Sequence, residues 1–411
     1  MNSKKINRKN FLKLTGMTAG AAAVIGSLRL MKDDIFSDKK YQHTSFSKIK
    51  MNLDKEKTPV YISAAQNPTK KAMEEAVSNT VEAASDFKWL KKGQTVFIKP
   101  VLNSGNPYPA TTNPVALSAM IRLLRRKGAG RVIVGDMSGI EHLKFFEDRT
   151  TGSSRKLMEA SGMLSAVTEA GGEPYFFEKA GWDSFYEDTT DKPGLWKKNI
   201  MMPSILKEAD HIVLMPRCSR HILAGSSLGL KAVVGYWRTD TRLEYHYNAK
   251  SLHELTAEGN RATTLLDKQR LVVSTGDKLL STVGPDDGYI QTPDEALVIV
   301  SESVVAHDMV SLAWLLHNRT TLPEDMQNKF LDHSTGVAKI VNKVVVKMLS
   351  GWGKAAASET LFKNDLKTIW DDRVLNHGYK ISGGIPDIDL VNVKSRVSEK
   401  TLKKLHAMVH G

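Results

Sequence analysis

The sequence predicts an α/β fold, a mostly parallel sheet with crossover helices, and three observations carry the prediction. Short apolar runs of strand length alternate with amphipathic runs of helical length. The alternation recurs at the spacing of strand–helix–strand units, which join parallel strands by helical crossovers. Several of the apolar runs end in loops rich in Gly, Pro, Asn and Ser, the residues that turn a chain after a strand.

The elements follow in order from residue 60. "VYISAA" (60–65) is a strand and the amphipathic segment 69–84 a helix. "QTVFIKP" (94–100) is a second strand, followed by the loop "NSGNPYPATTNP". A helix over 115–128 leads to the strand "RVIVGD" (131–136). A helix over 154–170 precedes the strand "EPYFFE" (173–178), and a helix over 203–209 precedes "HIVLMP" (211–216). "RLVVST" (270–275) and "ALVIVSESVVAHD" (296–308) read as the last strands. The final eighty residues are mostly helical and charged, with a Gly/Pro break at 382–387. The expected organisation is an export signal over 1–31, a polar linker over 32–57, an α/β core over 58–320 and a mainly helical C-terminal extension over 321–411.

Composition narrows the function. The chain has 411 residues, 41% of them hydrophobic and 25% charged, which is a globular balance with no repeat or low-complexity tract. The net charge of +13 is concentrated at the ends: residues 1–50 carry +8 and 391–411 carry +4, leaving +1 for the body. A nucleic-acid-binding domain carries its basic residues on the folded surface, so no nucleic-acid partner is expected. Membrane contact is expected only through the basic N-terminus. The single cysteine, Cys218, excludes an internal disulfide and any four-cysteine cluster, and reads as a small buried apolar group.

Residues 1–31 read as an address. Lys4, Lys5, Arg8 and Lys9 precede a mildly apolar run from Leu14 to Leu28 that is too short to span a bilayer well. The segment Arg8-Lys9-Asn10-Phe11-Leu12-Lys13 resembles the twin-arginine export consensus, with Lys9 in place of the second arginine. That resemblance implies export of the folded protein, to the periplasm or to a membrane-tethered position.

In parallel α/β sheets ligands sit outside the carboxyl ends of the strands. Three loops follow strands there: 101–114, "GDMSG" (135–139) and "RCSRHILAGSSLG" (217–229). The third holds His221, Gly225, Ser226, Ser227 and Gly229, with Lys231 beyond it and His246 fifteen residues further on. Glycines permit close backbone approach, and Ser226 or Ser227 suits the cap of a helix whose free N–H groups attract an anion. A lysine near that helix start, beside other cations, has its charged form disfavoured and suits a base or nucleophile. His221 and His246 suit proton transfer or coordination. Asp136 and Asp308, each after an apolar run, are candidates to face the same edge and bind a metal. The same residues also suit a solvated lysine, a core histidine and glycines that serve only the turn.

The stretches 98–139, 220–235 and 298–315 resemble the bacterial domain of unknown function 362 family, over roughly residues 58–320. Some members of that family carry iron–sulfur domains, for which this chain lacks the cysteines. More distantly, His221-x-x-Ala224-Gly225-x-x-x-Gly229-x-Lys231 is similar to a segment of nickel-pincer lactate racemases. That similarity implies His221 as proton-transfer base, Lys231 as cofactor attachment and His246 as metal ligand. It also implies a cofactor that is a metal, nickel in a pincer or another divalent ion. The loop from Lys99, including Asn103, resembles their phosphate- and substrate-binding loop, without its Asp-Arg-Thr-Arg core. Together these features lead to an exported isomerase- or oxidoreductase-type enzyme acting on a small carboxylate or hydroxy acid. The alternatives are a non-catalytic metal- or anion-binding periplasmic protein and an accessory subunit of an exported redox complex.

Overall fold

Helices cover both faces of the central sheet, which is why its strands are apolar at almost every position rather than at every second one. A computed structural model of the chain describes residues 56–65, 69–327, 335–362, 364 and 366–411. The expected export signal and nearly all of the expected linker lie outside the described residues.

Strand β1 (Thr58–Ala65) leads to helix α1 (Lys70–Ala84), whose N-cap Thr69 accepts a hydrogen bond from the Ala72 amide at 3.2 Å. Strand β2 (Thr95–Lys99) leads through the long loop to α2 (Pro114–Arg126). There Asn113 caps the first turn, Pro114 supplies a pre-set φ, and Arg125 and Arg126 complement the dipole at the far end. Strands β3 (Arg131–Gly135), β4 (Glu173–Tyr175) and β5 (His211–Leu214) follow. A hairpin of β6 (Ser219–His221) and β7 (Gly225–Ser227) comes next, then the short α3 (Gly229–Ala232) and α4 (Thr239–Tyr247). Strands β8 (Gln269–Gly276) and β9 (Ala296–Ser301) close the central part. Helices α5 (Val304–Arg319), α6 (Thr335–Ser350) and α7 (Arg373–Ile381), strand β10 (Ile388–Asn392) and helix α8 (Glu399–His410) complete the chain.

The strand order is β10-β1-β9-β8-β5-β2-β3-β4. Pairings are parallel except that β9 runs against both neighbours, β1 and β8. Alternate residues of each strand enter opposite cores. Val96, Val132 and Val213 pack under α1 and α2, while Phe97, Ile133 and Ile212 pack on the other side. From β2 the chain steps to β3 and β4 on one side, then returns to place β5 on the other. The strand order therefore reverses between the parallel neighbours β2 and β5, a crevice at which α/β sheets bind ligands.

Several boundaries differ from expectation for identifiable reasons. The run 296–308 is a strand only to Ser301; the Ser303 hydroxyl accepts from the Ala306 amide and starts α5, whose apolar residues continue the pattern without a break. The helix expected over 154–170 is two helices, Ser154–Ala160 and Met163–Glu169, divided at Gly162 with φ 80°. The segment 173–178 is a strand only to Tyr175 and enters a helical turn at Phe177. Beyond residue 321 the chain supplies an edge strand, β10, parallel to β1, and buries Leu375, Tyr379, Ile388 and Leu405 in the core under β1 and β9. No helix among the described residues is long and apolar enough to cross a membrane.

Candidate functional site

The crevice between β2 and β5 is lined by buried cations. Lys99, the last residue of β2, is fully buried and pairs with Asp136, the first residue after β3. Its ammonium also donates to the Pro100 carbonyl at 2.7 Å and lies 5.3 Å from the centre of the Tyr236 ring. Burial lowers the Lys99 pKa; Asp136 opposes this, and Arg242 and Arg217 add to it. Gly235 is a glycine because a Cβ there would overlap the Asp136 carboxylate and the Lys99 ammonium.

Arg217 and Arg242 are buried and held by backbone. Arg242 Nη1 donates to the Ser138 carbonyl at 2.7 Å and its Nε to the Val234 carbonyl at 3.1 Å, tying α4 to the loop after β3. Arg217 Nη1 donates to the Pro285 carbonyl at 2.6 Å and its Nε to Ser227 Oγ at 3.2 Å. Such guanidinium groups contribute fixed positive charge to the crevice while their N–H groups brace its loops.

Lys231 lies in this field and is partly buried. Burial first, then the charges of Arg217, Arg242 and Lys99, lower its pKa from 10.5 to about 7, against the opposing pull of Asp136. Its charge in turn lowers the pKa of both His221 and His246.

The two histidines differ in the nitrogen that carries the proton. His221 Nδ1 accepts from the amides of Leu223 at 3.1 Å and Ala224 at 3.3 Å, so the neutral ring bears its proton on Nε2. Burial and then Lys231 hold its pKa well below the usual histidine range. Asn342 of α6 donates its Nδ2–H to the His246 carbonyl at 2.9 Å, which orients its Oδ1 to accept from His246 Nδ1–H at 2.8 Å. The lone pair of His246 therefore lies on Nε2. Burial brings the His246 pKa down to about 3, with Asn342 opposing and Lys231 and Arg242 adding to the shift.

The other expected site residues find partners in the fold. His221 is a neutral hydrogen-bond donor at Nε2, because its other nitrogen accepts from two amides. Ser226 and Ser227 do not cap α3: Ser226 Oγ donates to Asp372 at 3.1 Å, and Ser227 accepts from Arg217. The cap is Asp308, whose two oxygens accept from the Gly229 and Leu230 amides at 2.8 and 2.7 Å, while His307 lies 2.9 Å from Oδ1. Asp308 thus supplies the negative charge at that helix start, and Gly229 is small because the carboxylate fills the space of a Cβ. Asp136 is paired with Lys99. Lys99 and Asn103 brace loops: Asn103 Nδ2 donates to Asp286 at 2.6 Å and its carbonyl accepts from the Gly139 amide at 2.8 Å. Gly225, at φ 88°, packs against Asn364. Cys218 is buried, its thiol pKa pushed up by burial.

Arg242, Asn342 and Asp372 carry much of the geometry and had no sequence signal, since each acts across more than ninety residues of chain separation. Asp372, with Ser226, Asp308 and Lys231, lines a small cavity beside the amine.

No curated protein matches the chain. Among solved structures it is similar to a protein from Thermotoga maritima at 14% identity, covering 62% of this chain and 59% of that one, with a TM-score of 0.42. It is also similar to the lactate racemase apoprotein from Thermoanaerobacterium thermosaccharolyticum at 13% identity, covering 60% of this chain and 54% of that one, with a TM-score of 0.38. The chain thus spans less than two thirds of the length of either. A family model matches residues 96–313, from β2 through the first turns of α5, and the chain belongs to the domain of unknown function family named DUF362.

Proposed function

We propose that the crevice binds a small carboxylate or hydroxy acid and exchanges a proton at its reacting carbon. One observation carries this reading: the Lys231 amine, brought to about pKa 7 by burial and by Arg217, Arg242 and Lys99, borders a small cavity and acts electrostatically on two neutral imidazoles, His221 and His246. An amine with that pKa is about half neutral at neutral pH, which suits a general base. His246 is too acidic in its protonated form to serve as a base there. In the proposed step Lys231 Nζ takes the proton from carbon, so that C–H breaks and N–H forms. The charge that develops on the neighbouring oxygen is met by the His221 Nε2–H and by the field of Arg217 and Arg242. Exchange of the Nζ proton with solvent before a proton returns to the carbon completes a proton exchange at that carbon.

The nickel-pincer group of the resembled racemases asks for a neutral lysine amine and an imidazole lone pair. Lys231 and His246 Nε2 fit those two requirements and would hold it. When bound, such a group supplies a two-electron acceptor for a hydroxyl-bearing carbon. An attached amine is no longer a base, so the two uses of Lys231 exclude each other. The Arg8–Lys13 sequence supports export through the twin-arginine pathway as part of the same reading.

The test incubates the purified protein and Lys231→Ala with lactate and with pyruvate in D2O, and follows deuterium at carbon by NMR. Intact mass and elemental analysis are taken on the same samples. Exchange by the unmodified chain, lost in the variant, supports the base. Added mass on Lys231 with a stoichiometric metal supports attachment instead. Oxalate-induced thermal stabilisation that needs Lys231, without exchange or added mass, reduces the protein to an anion binder. The absence of all three would sink the proposal.

A further inference from the structure

Away from Lys231, three loops meet at the outer rim of the crevice. Residues 139–142 follow β3, residues 103–106 follow β2, and residues 284–287 precede β9. Backbone and side-chain bonds lock them together. The Gly139 amide donates to the Asn103 carbonyl at 2.8 Å, Asn103 Nδ2 to Asp286 Oδ1 at 2.6 Å, and Asn106 Nδ2 to the Asp286 carbonyl at 3.0 Å. On this frame Glu141, His142 and Asp286 each present one donor atom, and the three atoms lie within 4.8 Å of one another.

The donor set differs from a surface acidic patch in two ways. It contains an imidazole, the commonest nitrogen ligand of first-row metals, with two carboxylates. The three donor atoms are also close enough to share one ion, and the His142 ring already hydrogen-bonds Asp286 there. His142 Nε2 and Asp286 Oδ2 lie 3.3 Å apart. Two ligands at about 2.0–2.1 Å from a shared ion, at roughly the tetrahedral angle, stand about 3.3–3.4 Å apart. Glu141 is exposed and no hydrogen bond holds its side chain among the described residues, so it is free to close the third position. Asp287, next in the chain, adds negative charge beside the group.

We propose that Glu141, His142 and Asp286 form a binding site for one divalent first-row cation, of the zinc, cobalt or manganese class. The site is independent of the Lys231 chemistry and separate from His246. Its remaining coordination positions face outward and are open to water or to an anionic ligand entering the crevice.

The experiment titrates cobalt(II) into the chelator-treated full chain by calorimetry, with visible absorption recorded in parallel. It repeats the titration on Glu141→Gln, His142→Ala and His246→Ala. One equivalent is expected, with the absorption bands of an imidazole- and carboxylate-ligated ion. Affinity should fall about tenfold or more in His142→Ala, fall measurably in Glu141→Gln, and stay unchanged in His246→Ala. Glu141→Gln changes an exposed side chain and keeps the fold testable. No saturable binding to the folded protein would overturn the site. So would binding unaffected by Glu141→Gln and His142→Ala, or binding lost in His246→Ala instead.

Discussion

Asn342 grips His246 with both ends of its amide, accepting from Nδ1–H through Oδ1 and donating Nδ2–H to the His246 carbonyl. The second bond fixes which way the amide points, and so fixes the tautomer of the ring. An orienting partner of this kind is what a ligating or proton-handling histidine needs. In histidine-labelled protein, long-range nitrogen–proton correlation spectra at neutral pH should show His246 protonated on Nδ1 and His221 on Nε2. Asn342→Ala should release His246 into a mixture of tautomers and leave His221 unchanged. Finding both rings in the same tautomer would remove the distinction between donor and lone pair drawn above.

Lys231 should mark itself by pH. Its pKa in the folded chain, about 7, lies below the ordinary 10.5, so between these values the unfolded chain holds a proton that the folded chain lacks. The destabilising contribution is therefore full below about pH 7 and fades as pH rises toward 10.5. Lys231→Met should raise stability by about 1–2 kcal/mol near pH 6, a figure discounted because the amine is partly solvated, and by little near pH 10. Urea unfolding at the two pH values checks this. Competitive acylation read by mass spectrometry should also give Lys231 a midpoint far below that of exposed lysines.

The Lys99–Asp136 pair is a buried ion pair whose members serve each other. Lys99→Met alone leaves a buried carboxylate without its cation and should cost about 3–5 kcal/mol. Replacing both, as Lys99→Met with Asp136→Leu, should cost clearly less than the sum of the single changes. Denaturant unfolding of the three variants closes the cycle.

Asp308 predicts a different signature. Its carboxylate receives two backbone amides at the start of α3, so Asp308→Ala orphans both and should cost about 2–4 kcal/mol, at about 1–2 for each charge-assisted bond. Metal content should not change, because both Asp308 oxygens already accept backbone amides and the residue stands outside the Glu141–His142–Asp286 group. A metal lost from Asp308→Ala, with His142 intact, would contradict the assignment.

Much of the architecture was legible because it is local. Apolar runs of strand length at 95–99, 131–135 and 211–214 are bounded by Gly, Pro and Asn, and those boundaries survive tertiary packing. The run at 296–308 was not legible, because a strand buried on both faces and a helix buried all round are both continuously apolar. Only Ser303, capping α5, separates them, and a single serine gives no warning of that role.

The sequence by itself determined that the chain alternates strands and helices, that its loops gather at the carboxyl edge, and that Lys231 stands among cations between two histidines. Those properties depend on spacing, which the chain carries with it. The tertiary structure alone decided what each group does there. Asp136 and Asp308 look alike in sequence, yet one neutralises Lys99 and the other caps α3. His221 and His246 look alike, yet one offers a proton and the other a lone pair. Protonation and pairing follow from burial and from partners such as Arg242, Asn342 and Asp286, which arrive from distant parts of the chain and meet only when the sheet is assembled.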